Sequence, residues 1–332
     1  MGIPAIVTAG DGQASRAVYG QSKVFLELAG LPLVAHVVRA LQQVPEVDEV
    51  WVVGDLGRLR AALERTEVEA SLTKPLHLIP QHRHLWENCW QAYRHCLSGS
   101  TLAGRDPQSE EDLDRRLLYL SGDLPFATPQ EISSFIERSL ALEADYTVGL
   151  VEDHALAGFL PASTGGPGIE VAYFNLREAR YRQNNLHLCR PGRLRNRHYI
   201  EEMYQHRHQR ELGNMVKLAL RLLVARQGGL TILFFYALMH LAGVLDRHGL
   251  ASLADRVRRM VGIERAERAA GRLLGTRFRF VVTDVGGCAI DVDTEREYDA
   301  CCERYDEWCR SQTERAEKLH GPPALGAGAE RR

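Results

Sequence analysis

The stretch Pro4 to Pro32, PAIVTAGDGQASRAVYGQSKVFLELAGLP, decides how the rest of the chain is read. Ala5, Ile6 and Val7 form a short apolar run suited to a buried strand. Gly10 and Gly12 interrupt it where a backbone can fold tightly around a phosphate. Arg16 and Lys23 follow. Only Lys23, Lys74, Lys217 and Lys318 are lysines, out of 41 lysines and arginines together, so a lysine in this loop is a pointed choice. The spacing excludes two better-known glycine loops. A Walker loop needs Gly-Lys-Ser/Thr in succession, whereas Gln21 and Ser22 separate Gly20 from Lys23. A dinucleotide fingerprint needs a third glycine where Ser15 stands, and an acid about twenty residues on, where the chain has apolar Leu31 to Val34.

The pattern resembles the MobA-like and sugar-nucleotide nucleotidyltransferases, whose first strand runs into L-A-G-G-x-G-x-R, then P-K-x-L, then G-x-P-L. Ala9, Gly10 and Gly12 match that loop, Arg16 stands for its arginine and Lys23 for its lysine. Gly30, Pro32 and Leu33 match the start of the following helix. Asp11 replaces the second glycine, and Arg16 comes a few residues late. The resemblance implies nucleotide contacts from Ala9, Gly10, Asp11 and Gly12, with Arg16 and Lys23 neutralising phosphates. An aspartate beside a triphosphate is unfavourable unless a metal or protonation relieves it.

Two further segments carry the same resemblance. Leu117 to Leu120 reads as a buried strand ending in Ser121-Gly122-Asp123-Leu124-Pro125. A carboxylate there stands at the crevice where open α/β sheets bind ligands. In the resembled family the aspartate of G-D-x-P holds catalytic Mg²⁺, which assigns Asp123. Near the other end, GGCAIDVDTEREYD (Gly286 to Asp299) resembles the family's closing strand. An acidic residue there meets the first carboxylate across the metal, Asp293 being the better match and Asp291 the second. Alternate strand residues point to one side, so both can face the site. Asp291-Val292-Asp293 also spells the D-x-D of metal-dependent glycosyltransferases, though far later in the chain than that motif belongs. In the family, a glutamine and small residues after the third strand read the base, a role open to Gln81 and Asn88 beside the alternative of helix-flanking residues.

Between these segments, short apolar runs alternate with amphipathic ones: Glu49 to Val53, Leu76 to Pro80 and Tyr146 to Val151 as strands, Pro32 to Val44 and Arg58 to Arg65 as helices. That alternation predicts a parallel sheet covered on both faces. With the resemblance, the expected fold is a three-layer α/β/α, Rossmann-like nucleotidyltransferase domain of GT-A-like type. Residues 1–151 form its first part and residues 277–311 its closing strand and helix. Ser98 to Arg116 is polar without apolar period and reads as a surface loop. Residues 152–276 read as a mainly helical insertion and acceptor region. There Arg182, Asn185 and Arg190 belong to an Arg- and Asn-rich cluster suited to an anionic acceptor, with solvated surface arginines as the plain alternative. His206 and His208 lie two apart, wrong for sharing a helix face and hence for zinc. Gly229 to Leu245 is the most apolar run. As a helix it spans roughly 25 Å, short of the ~30 Å hydrocarbon core, so it reads first as a core helix, with peripheral membrane contact open but not favoured. Residues 312–332 read as a disordered tail.

Composition sets the outer limits. At 332 residues, 45% apolar and 25% charged, the chain can bury a large core. A formal charge of −2 argues against nucleic acid as partner. Seven cysteines without a C-x-x-C pair suggest neither a disulfide framework nor a zinc ribbon, and suit a cytoplasmic location. The expected activity is Mg²⁺-dependent transfer of a nucleotidyl group from a nucleoside triphosphate to a phosphorylated small-molecule acceptor. A GT-A-like glycosyltransferase using a nucleotide sugar and a non-catalytic nucleotide sensor stand as alternatives.

Overall fold

The computed structural model describes residues 2–10, 17–161, 166–199, 248–258 and 260–323, together with Leu238, Leu241, Val244 and Leu245. Asp11, Gly12, Arg16, the His206/His208 pair and most of the apolar run 229–245 lie outside the described residues. Among the described residues no helix is long and apolar enough to cross a membrane.

The sheet is built from β1 (Ile3–Ala9), β2 (Val47–Gly54), β3 (Leu76–Pro80), β4 (Leu117–Ser121), β5 (Tyr146–Glu152), β6 (Arg180–Cys189) and β7 (Phe278–Thr283). Across the sheet they run β7-β5-β6-β4-β1-β2-β3, and a two-residue strand, Phe174–Asn175, pairs beside β6. β1 lies parallel to β2 and β4, and β5 to β7. β6 alone among the seven runs antiparallel, to β4 and to β5. The sheet is therefore mixed, which corrects the expected all-parallel sheet. Arg180–Cys189, within the expected mainly helical insertion, is instead a strand. Burial at alternate positions, Asn184, Leu186 and Leu188, is what makes its second half a strand, with Tyr181 buried before the register shift.

Helices cover both faces: α1 (Leu33–Gln42), α2 (Leu56–Leu63), α3 (Leu85–His95), α4 (Glu110–Asp114), α5 (Pro129–Leu140), α6 (Ala251–Arg258), α7 (Ile263–Leu274) and α8 (Glu295–His320). In α1, Val34, Val37, Val38 and Leu41 are fully buried in the core beside β1, and Leu33 is fully buried in a second cluster with Phe126 and Ile290. Each such side chain contributes about 1.5–3 kcal/mol on burial. A valine costs at most about 0.7 kcal/mol in helix propensity, so packing decides the helix.

Two further expectations are corrected. The polar connection 98–116 contains α4, fixed by a capping box between Ser109 and Asp112 and by a two-pronged Arg105–Asp112 pair at 2.7 Å. The chain also stays ordered past residue 312, because α8 runs to His320 with Gln312 and Ala316 buried and the Gln312 side chain accepting from Gly286 N at 3.2 Å.

Candidate active site

Lys23 does not lead straight into a helix. It opens a 3₁₀ turn, Lys23–Phe25, between two hairpins, Ala17–Val18 with Gln21–Ser22 and Glu27–Leu28 with Leu31–Pro32. Both hairpins turn on two residues of positive φ, Tyr19-Gly20 and Ala29-Gly30, the conformation that matches the twist of flanking strands. The Tyr19 hydroxyl donates to the Asp299 carboxylate at 2.8 and 2.9 Å, tying the first hairpin to α8. The ammonium of Lys23 is thus held from both sides, and the residue is buried.

Lys23 Nζ pairs with Asp123 and lies 2.6 Å from Asp293 Oδ1. Asp123 is fully buried, two residues past β4, and accepts from Ser121 Oγ. Asp291 and Asp293 join it, with carboxylate oxygens of all three residues within 4.8 Å of one another. The expected strand placement of the last two is corrected: β7 ends at Thr283, and both sit in the extended link between a 3₁₀ turn at Gly287–Ala289 and α8. The cap of α8 is Thr294, whose Oγ1 accepts from Glu297 N at 3.2 Å, so helix capping does not account for the Asp293 side chain.

The link is clamped at several points. Arg182 on β6 donates to Ala289 O and Asp291 Oδ1, each at 2.7 Å. Asn185, in the bulge between Gln183 and His187, donates to Cys288 O at 3.4 Å. Glu131, buried in the first turn of α5, accepts from Cys288 N at 2.9 Å and Thr283 Oγ1 at 3.2 Å. A Cβ on Gly287 would stand 1.8 Å from Phe126 O. Only glycine lets this link press so closely on the turn that follows Asp123.

Burial alone would favour a neutral Lys23, but Asp123, Asp293 and Asp291 outweigh it and hold the amine charged, above the ordinary lysine value. Burial pushes the Asp291 carboxyl upward, reinforced by Asp293 and Asp123 and opposed by Arg182 and Lys23. Burial also lifts Glu131 to about 7, against the hydrogen bonds from Cys288, Thr283 and Gly287 that favour its charged form. An oxygen-only cluster of this kind suits a hard divalent cation such as Mg²⁺. The Lys23 ammonium, bridging Asp123 and Asp293, already marks the space between them as a cation position.

Gln81 and Asn88 do come to the loop: a Cβ on Gly10 would lie 3.3 Å from Gln81 Oε1 and 3.8 Å from Asn88 Nδ2. Asn88 is buried and accepts from His82 N at 2.5 Å. Ala9 is buried at the end of β1. Arg190 is not part of the site. It follows the far end of β6, roughly 25 Å from Arg182 at strand rise, and pairs with Asp145 at 2.7 Å. Arg182 is at the site, but its guanidinium holds the carboxylate link. Glu131 supports the link without any signal in the sequence that marks it. Thr128 does cap α5, and only the fold shows where the Glu131 carboxylate goes.

Gly10 after β1, a buried lysine, and a carboxylate after β4 met by others near the chain's end are thus set into an α/β fold of nucleotidyltransferase type. Residues 5–166 match the model of the MobA-like NTP transferase domain. It is 25% identical over 138 residues to a 2-C-methyl-D-erythritol 4-phosphate cytidylyltransferase of Chlorobium luteolum, covering 42% of this chain. It is 30% identical over 196 residues to the bifunctional protein GlmU of Rhodospirillum rubrum, covering 57% of this chain. The chain spans 54% and 37% of the lengths of these two relatives. A hypothetical transferase structure from Thermus thermophilus shares the fold, with a TM-score of 0.53 and 24% identity over 90% of this chain and 99% of that one.

Proposed function

We propose that the protein is a nucleotidyltransferase that moves a nucleotidyl group from a nucleoside triphosphate to a phosphorylated small-molecule acceptor. The observation that supports this most is the convergence of Lys23, Asp123 and Asp293 at one point beside the Gly10 loop. In the reaction a phosphate oxygen of the acceptor attacks the α-phosphorus, the α–β phosphoanhydride bond breaks, and pyrophosphate leaves with the electron pair. No general base is needed, since a phosphate acceptor is already ionised near neutral pH.

Asp123 and Asp293 would hold Mg²⁺, which when bound supplies charge neutralisation and a template for the phosphate oxygens. Lys23 would release its carboxylates and follow the charge that grows on the α-phosphoryl oxygens and the leaving pyrophosphate. Backbone amides around Gly10 would cradle the phosphates, with Arg16 neutralising them, and Gln81 and Asn88 would read the base. The test is a thermal-shift panel of nucleoside triphosphates and nucleotide sugars with and without Mg²⁺, because a ligand that binds only the native state raises its apparent stability. CTP leads the panel, one relative being named a cytidylyltransferase. A Mg²⁺-dependent shift with a triphosphate is expected. A shift with nucleotide sugars alone would favour sugar transfer instead.

A further inference from the structure

Beside the carboxylates lies a cavity of about 370 Å³ between α3 and the sheet, lined by Trp86, Cys89, Tyr119, Tyr146, Asn185 and His187 among others. We propose that it receives the uncharged, ring-sized, mainly apolar body of the acceptor, whose phosphate stays at the mouth toward Lys23. This rests on the transferase reading and names the substrate class within it.

Three observations carry the assignment. The cavity shares walls with the site: Ser121, whose hydroxyl donates to Asp123, and Asn185, which holds the carboxylate link, both line it. Its lining among the described residues contains no lysine, arginine, aspartate or glutamate. A charged group inside would lack a counter-ion and be disfavoured. The aromatic hydroxyls, moreover, are engaged with the protein itself. Tyr119 donates to Cys89 O at 3.1 Å, and the Tyr146 hydroxyl lies 2.9 Å from His187 Nδ1. The rings therefore offer mainly apolar surface, with Gln183 and Asn185 placed to meet a hydroxyl or two on the ligand. The volume falls within the range of roughly 300–1,000 Å³ typical of small-molecule pockets. Gln81 and Asn88, offered to the base, are not among its lining residues.

The test uses the full chain, with phenyl phosphate and cyclohexyl phosphate as probes and glycerol 3-phosphate and glucose 1-phosphate as polyol counterparts. Cys89 is the reporter, its alkylation by iodoacetamide followed by peptide mass mapping. The ring phosphates are expected to slow alkylation of Cys89 about tenfold at ten times their Kd and to raise Tm, while the polyol phosphates do neither. Cys89→Phe, which fills the cavity, should abolish the Tm shift. Protection by the polyols equal to that by the rings, or none by the rings, overturns the proposal. Protection is read on the wild-type chain, so the result stands even if Cys89→Phe fails to fold. Binding of Mg²⁺ with a triphosphate is measured in parallel. Nucleotide binding with inert ring phosphates defeats the cavity assignment alone, whereas ring protection without any nucleotide binding defeats the transferase reading and upholds the chemistry of the cavity.

Discussion

Lys23 Nζ lies 2.6 Å from Asp293 Oδ1, although 270 positions separate the two residues. The same ammonium pairs with Asp123, so one cation holds together carboxylates from the middle and the end of the chain. Arg182 holds the third, Asp291, and the cluster sets two cations against three carboxylates.

Lys23→Ala should therefore act twice. Without metal it leaves carboxylates crowded and unpaired, a loss of about 3–5 kcal/mol for a buried pair. Added Mg²⁺ should raise the Tm of the variant more than that of the wild type, since it can replace the missing charge. Turnover should nonetheless stay strongly reduced, because the lysine also acts on charge built up in the transition state. Differential scanning calorimetry with and without Mg²⁺ checks the first part. An identical Mg²⁺ shift in both proteins would separate Lys23 from the metal.

Asp123→Asn and Asp293→Asn should each lower Mg²⁺-dependent turnover about 100-fold or more with the fold retained. The double variant should lose little beyond either single one, because groups acting as a unit are not additive. Pyrophosphate release against Mg²⁺ concentration measures it. Normal metal-dependent turnover in Asp123→Asn would end the transferase reading.

The two arginines of β6 and its end should behave in opposite ways. Arg182→Met loosens the link that carries Asp291 and Asp293, so metal affinity should fall roughly 10- to 100-fold. Arg190→Ala removes one partner of Asp145, which Arg277 still contacts at 2.8 Å, so it should cost about 1–2 kcal/mol of stability and leave turnover unchanged. Steady-state kinetics beside chemical denaturation separates them. A raised KM in Arg190→Ala would contradict its placement.

Glu131 supplies a pH dependence of known sign. Its carboxyl is raised in the folded protein from an ordinary value of 4.5 to about 7, chiefly by burial. Folded chains thus bind more protons than unfolded ones between those values. The contribution is fully present below about 4.5 and is lost as pH rises through about 7, a change on the order of 3 kcal/mol. Glu131→Gln should remove this component, so its Tm relative to wild type should be higher at pH 8 than at pH 5. No change in that difference between the two pH values would show that Glu131 does not titrate as proposed.

Much of the fold was legible because its signals are local. Ala5 to Val7, Leu117 to Leu120 and Tyr146 to Val151 are apolar runs bounded by turn residues, and such runs name strands without help from distant parts. The helix face of Leu33, Val34, Val37, Val38 and Leu41 follows in the same way from periodicity. Asp123 was legible because it follows a strand, where ligands gather. Gln312 and Ala316 read as tail in the sequence because the charged residues around them hide the narrow stripe that α8 buries.

By itself the sequence determined the glycine loop, the scarce lysine and the carboxylates at 123, 291 and 293, since residue type and spacing are properties of the chain. Tertiary structure alone decided their partners. That Lys23 bridges Asp123 and Asp293 and that Glu131 reaches Cys288 depend on how distant segments meet, and that Arg182 serves the carboxylate link while Arg190 lies at the opposite edge depends on the direction of β6 in the sheet. Because β6 runs antiparallel to β4 and β5, it begins at the edge where they end, so Arg182 lies at that edge and Arg190, eight residues on, at the other. Composition cannot report that direction, because it is set by pairing with strands 29 or more residues away.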